Sequence, residues 1–328
     1  MGCHRSGTNL LYDTLLSAGG FAVYRGYLPV YKVLVPRFGP LNILANRKRI
    51  LEAWLHSQGF RRSGLDAAWL RKRVLDECRT AGDFMRITMD EITRQQGALR
   101  WALYDPDSVL HVPRIKADIP EALFVHIVRD GRDIALSLKK MEGFRPFPWS
   151  RKQRGLLETA LYWEWTVRRG REHGRKIPAD YIEIHYEELV SNPGGVLKQL
   201  GDFIGQNLDY ERIQQIALGR IRETNSSFRE EPSEAQAPVN RWKEKLTPRE
   251  VSELEAAIGV GLRDFGYELT TPAEQHRAGL KEGLMRSFYP ALLGTKFFLK
   301  IKTPLGRLAS LSALEMDSDE EGSSRAGE

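Results

Sequence analysis

The sequence predicts an α/β fold of the three-layer, P-loop-like kind, with a central parallel sheet flanked by helices. Three observations carry that expectation. Apolar runs of strand length lead through polar turns into stretches with helical spacing, strands alternate with helices along the chain, and no repeat of solenoid or propeller length is present. The chain has 328 residues, 41% hydrophobic and 28% charged, which suits one large folded domain and excludes disorder, collagen and coiled coil as whole-chain descriptions.

The first unit of the pattern opens the chain. GCHRSGTNLLYDTLLSAGG has the turn and the helix, with Leu10, Leu11, Thr14 and Leu15 on the buried face and Gly19-Gly20 ending it. Only Met1 precedes Gly2, so the first strand is expected to be missing or truncated, with Met1 an internal methionine of a chain that begins upstream. Between residues 25 and 100 the runs ILEAWL, AAWLRKRVL and FMRITMDEIT show three- and four-residue apolar spacing. They predict a helical cover on the acceptor side of the sheet.

The second unit is LFVHIV at Leu123 to Val128, the turn Arg129-Asp130-Gly131-Arg132, and IALSL from Ile134. The third is YIEIH at Tyr181 to His185, followed by a helix that Asn192 caps and Pro193 begins. Its apolar positions are Val196, Leu197, Leu200, Phe203 and Ile204.

Charge narrows the partners. The whole chain is +6, but residues 315–328 hold six acids and one arginine, so the body before them is +11. A body this basic expects an anionic partner, and charge alone does not choose between nucleotide, membrane and nucleic acid. Nucleic acid ranks last because no recognised binding motif accompanies the charge. Two cysteines, Cys3 and Cys78, form no disulfide framework, and the seven histidines offer no zinc spacing, so no metal is expected. With no signal peptide and no apolar run of spanning length, the reading is a cytoplasmic protein.

Two loops carry the chemistry. Gly2-Cys3-His4-Arg5-Ser6-Gly7-Thr8 has the length of a phosphate loop, yet Thr8 stands where an NTPase places its lysine, which argues against a P-loop kinase or hydrolase. Backbone N–H groups at the helix start still form an anion site, with Arg5 as the cation and Ser6 and Thr8 as hydroxyl donors. Taken alone, the loop fits a ligand-free turn as well. Arg129 ends the second strand and Ser137 follows eight residues later, both directed at the crevice beyond the strand ends, where open α/β sheets bind ligands. Arg129 could equally pair with Asp130 or Asp133.

Together the loops resemble the PAPS-dependent sulfotransferase family, of the bacterial type. CHRSGTNLL at Cys3 to Leu11 is similar to its 5′-phosphosulfate loop and HIVRDGRDIALSL at His126 to Leu138 to its 3′-phosphate motif. YEELVSNP at Tyr186 to Pro193, the FIG of Phe203 to Gly205, and NRWKEKLT at Asn240 to Thr247 follow in the family's order, covering most of residues 2–268. The resemblance implies transfer of a sulfuryl group from 3′-phosphoadenosine-5′-phosphosulfate (PAPS) to a hydroxyl or amine, without a metal. It implies that Arg5, Ser6, Gly7, Thr8 and Asn9 hold the 5′ end and Arg129 and Ser137 the 3′-phosphate. Arg241, Trp242 and Lys243 would close over the donor, and Arg5 would steady the departing phosphate. A relative that binds the donor without turning it over is the alternative.

The base departs from the family's pattern. Where many bacterial members have W-x-x-K-T-P, this chain reads Trp101-Ala102-Leu103-Tyr104-Asp105-Pro106, and FAVYRGYLPVY from Phe21 contains no acid. Asp105 and His111 are the nearest candidates for a base, with His4 a third. The sulfotransferase domain is expected over residues 1–270, a basic, aromatic extension over 271–314, and an acidic, disordered tail over 315–328. Residues 284–314 hold five basic side chains and no acid, with Phe288, Tyr289, Phe297 and Phe298. That segment either packs its aromatics inward or makes weak membrane-surface contact, and Pro290 and Pro304 are expected to interrupt a long helix.

Overall fold

The computed structural model describes residues 1–141, 144, 153–220, 239–272 and 280–314; the acidic tail expected over 315–328 lies outside them. In chain order the principal elements are α1 (Thr8–Ser17), α2 (Leu44–Leu55), α3 (Ala67–Glu77), α4 (Ala81–Gln95), β1 (Phe124–Val128), α5 (Gly131–Lys139), α6 (Leu156–Gly174), β2 (Tyr181–His185), α7 (Pro193–Ile204), α8 (Pro248–Asp264) and α9 (Leu280–Lys302). The protein is a mostly helical α/β fold with a small parallel sheet. Its described residues form two compact units, Met1–Asp13 with Leu123–Lys296, and Thr14–Ala122 with Phe297–Glu328.

The first unit contains the sheet. β1 pairs in parallel with β2 in the register Phe124↔Tyr181 to Val128↔His185. The opening residues add to the other side of β1, because Gly2 bridges Ile127 in parallel and the Met1 carbonyl accepts from the Ile127 N–H at 3.0 Å. The first strand is therefore a stub, as its sequence allows. β1 reads as an apolar run broken only by His126 because it is enclosed, with His126, Ile127 and Val128 fully buried. Beside it, α5, α6 and α8 pack a core of Ile134, Leu138, Trp163, Leu254, Ile258 and Phe265. Gly131 lies under the Trp163 indole, where a Cβ would collide, so α5 can start this close to α6 only with glycine there.

In the second unit the three predicted helical runs fold as α2, α3 and α4. Trp54 of α2 meets Phe60 and Phe84 edge-on at 5.4 and 5.6 Å, and an Asp66 cap and a Thr80–Asp83 capping box start α3 and α4. A π-helical turn, Val30–Leu34, carries Lys32, which pairs with Asp107.

One expectation fails in α9. The helix runs through Pro290 without a break. Proline removes one backbone donor, but the adjoining turns bury Tyr289 and Leu293 in the core of the first unit, and that packing offsets the lost bond. Pro304 does mark a stop, opening a 3-10 turn over Pro304–Leu308.

Candidate functional site

The phosphate-loop geometry begins with two left-handed residues. Arg5 has φ 72° and Gly7 φ 93°. At Gly7 a Cβ would run into the Tyr186 ring, so glycine is required by both the backbone and the space. Ser6 is turned into its own loop. Its N–H and its hydroxyl both donate to the Cys3 carbonyl, at 3.1 and 2.6 Å, and the residue is fully buried. The tightness of the turn commits Ser6 to the loop itself. Thr8 starts α1 buried, and the Asn9 Oδ1 is buried without a hydrogen-bond partner.

The second loop meets the first. Arg129, at the end of β1, donates from Nη1 to the Arg5 carbonyl at 3.4 Å, and the Arg5 Nε donates to the Ser137 hydroxyl on α5 at 3.0 Å. Arg129 is 6% exposed. Its guanidinium lies 4.3 Å over the Tyr186 ring and pairs with Asp133, in the first turn of α5, at 3.1 Å. The pairing that the i, i+4 spacing suggested is thus present, and it fixes the guanidinium instead of removing it from the loop. Asp130, the other partner considered, pairs with Arg132 at 2.7 Å.

Asp133 also anchors the late segment. Its Oδ1 accepts from the Trp242 N–H at 2.9 Å. Trp242 is 3% exposed, its ring faces the Arg132 guanidinium at 3.8 Å, and Lys243 lies 5.6 Å from the same ring while exposed to solvent. Arg241, next to it, lies within the electrostatic reach of Arg129 and Arg5. Burial and then the charge of Arg129 pull its pKa below the usual guanidinium range, with Arg5 adding to the effect. Three arginines from three separate segments converge, and a gathering of like charges is the arrangement that an anion of two or more charges would relieve.

Sequence reasoning missed three supports of this cluster. Tyr186 floors both Gly7 and Arg129, Asp133 ties Arg129 to Trp242, and Glu187 accepts from the Asp130 N–H at 2.9 Å and from the Tyr267 hydroxyl at 2.9 Å. Burial raises the Glu187 carboxyl, so the two donors are what make its charge tolerable. The YEE spacing placed Tyr186 and Glu187 after β2, but only the fold brings them under the β1 turn.

Against the family models, residues 1–210 match the sulfotransferase family. The chain belongs to that family. Among solved structures, this sulfotransferase is similar to the sulfotransferase domain from the curacin biosynthetic pathway. The TM-score is 0.52 at 15% identity, covering 82% of this chain and 96% of that one. It is also similar to the sulfotransferase domain of the Synechococcus PCC 7002 olefin synthase, with TM-score 0.50 at 18% identity, covering 82% and 94%. At such identities the likeness is one of fold. No curated protein matches it in sequence.

Two of the three candidate bases lie in the second unit. Asp105 caps a 3-10 turn, Pro106–Leu110, accepting from the Asp107 N–H at 3.1 Å, and it remains partly exposed. His111 is 3% exposed, with its ring 6.2 Å from Tyr31 and 5.4 Å from Phe297. Burial drives its pKa down to about 3. His4 is half-buried in the first unit. Among the described residues, no group of three or more His, Cys, Asp or Glu is arranged to hold a metal ion.

Proposed function

We propose that this sulfotransferase moves a sulfuryl group from PAPS to a hydroxyl or amine acceptor. The observation that carries the proposal is the meeting of the two loops, in which Arg129 donates to the Arg5 carbonyl and Arg5 donates to Ser137, with Arg241 near enough for the charges of both arginines to act on it. A donor with phosphate at both ends of one ribose needs two neighbouring anion sites, and the two loops offer one each. Gly7, Thr8 and Asn9 at the start of α1 would add backbone and side-chain donors for the 5′ end, while Arg129 and Ser137 would hold the 3′-phosphate. Lys243 would close over the donor with Arg241, and Trp242, facing inward, would hold that segment in place. In this reading Ser6 shapes the loop and contacts no ligand.

The chemistry asked of these residues is modest. The acceptor oxygen or nitrogen attacks sulfur, the bond from sulfur to the 5′-phosphate oxygen breaks, and the acceptor proton passes to a base. Arg5 takes the charge that builds on the departing phosphate. For the base we propose Asp105 ahead of His111, since a ring enclosed by Tyr31 and Phe297 and titrating near about 3 is a poor acceptor of a substrate proton.

Calorimetry with the product 3′-phosphoadenosine-5′-phosphate, with ATP as comparison, tests the proposal. The bisphosphate is expected to bind well ahead of ATP, and Arg129→Ala to cost about 2 kcal/mol, roughly 30-fold in Kd. Equal binding of both nucleotides, or an indifferent Arg129→Ala, would overturn it. Release of the bisphosphate from PAPS with pooled acceptors then separates turnover from binding alone.

A further inference from the structure

The carboxyl-terminal segment separates its apolar residues into two sets. Tyr289 and Leu293 of α9 are buried in the core of the first unit, and Phe297 faces His111 in the second. Others point the opposite way. Phe298 is 57% exposed, and in the Pro304–Leu308 turn Leu305 is 52% and Leu308 77% exposed. Residues three apart on a 3-10 turn lie on one face, so Leu305 and Leu308 stand together. That turn is held rigidly. Gly306 packs so closely on the Pro36 and Lys300 carbonyls that a Cβ would collide with both, which fixes the two leucines as a feature of the fold. The first part of α9 exposes Leu284 and Phe288 as well.

Exposed Lys302 and Arg307 interleave with these residues, and no acid occurs anywhere in residues 284–314. A protein-binding surface is ordinarily ringed by both signs of charge. Large exposed apolar side chains on a segment whose only charges are cations match an anionic bilayer, where rings and leucines enter the headgroup boundary and the cations meet phosphates. No helix among the described residues is long and apolar enough to cross a membrane, so the contact would be peripheral.

We propose that the surface formed by Phe298, Lys302, Leu305, Arg307 and Leu308 docks the protein on an anionic membrane surface. The proposal is independent of the donor assignment, because none of these residues belongs to the arginine cluster.

Co-sedimentation of the full chain with vesicles of equal phosphatidylglycerol and phosphatidylcholine, against pure phosphatidylcholine, provides the test. Partition onto the anionic vesicles is expected to exceed that onto neutral ones by about tenfold, and to fall when salt is raised to about 0.5 M. Phe298→Ser with Leu308→Ser should lower binding by about tenfold. Lys302→Glu with Arg307→Glu should abolish the preference for anionic lipid. All five positions are exposed, and unchanged melting and an unchanged circular dichroism spectrum would show that the variants are folded. Equal or absent partition, or variants that bind as the parent does, would overturn the proposal. So would light scattering that found a dimer dispersed by the Phe298→Ser and Leu308→Ser pair, since the surface would then serve a second copy.

Discussion

Arg5 shows how one residue can bridge two motifs. Its left-handed backbone turns the phosphate loop, its carbonyl receives Arg129, and its side chain reaches Ser137. Because the proposed role of that side chain is to meet charge developing on the leaving phosphate, Arg5→Ala should lower kcat about a hundredfold while product affinity changes less. Steady-state rates beside calorimetry check this; a loss confined to affinity would place Arg5 in ground-state binding. The glycine turn at Gly7 and the pairing of Arg129 with Asp133 could be read from residue type and spacing. The contacts of Tyr186 and Glu187 could not, nor could the bond from Asp133 to Trp242, since each joins residues from different segments of the chain.

Elements of the first unit are joined by a half-buried polar contact between α6 and β2. Arg171 of α6 holds the Glu183 carboxylate of β2, donating from Nε at 3.2 Å, and His126 of β1 stands 3.5 Å from the same carboxylate. Burial alone would raise Glu183, but these partners outweigh it and bring it down to about 2. Burial keeps His126 neutral by lowering its pKa, so Arg171 supplies the lasting charge. A carboxyl depressed in the folded state adds stability that is complete above its ordinary range near about 4.3 and is lost as pH falls toward about 2. Urea midpoints should decline over that interval, and Glu183→Gln should flatten the decline by roughly 2 kcal/mol. A slope unchanged by the substitution would remove Glu183 from the account of acid stability. The strand pattern YIEIH made β2 legible, but not that its glutamate faces α6.

For the whole molecule the relevant quantity is the distribution of charge. With residues 315–328 at −5, the body before them carries +11, and the arginine cluster lies on that body. A multiply charged nucleotide should therefore be steered toward it. Its association rate, followed by stopped flow, should drop about tenfold between roughly 0.05 and 0.5 M salt, with a smaller change in dissociation. A rate indifferent to salt would mean that the focus is local and the net charge incidental.

The sequence by itself determined the alternation of strand and helix, the two loops and their cations, the departure at Tyr104-Asp105, and the family. All of these are local, set by apolar period, turn chemistry and residue order along a few positions. Only the tertiary structure decided that Ser6 serves its own turn, that His111 is enclosed, that α9 passes through Pro290, and which aromatics of its segment face water. Those outcomes depend on what lies across a packed interface. The Ser6 bond closes a turn whose geometry residue type alone does not give, and the His111 ring meets Tyr31 and Phe297 from distant parts of the chain, which spacing does not encode.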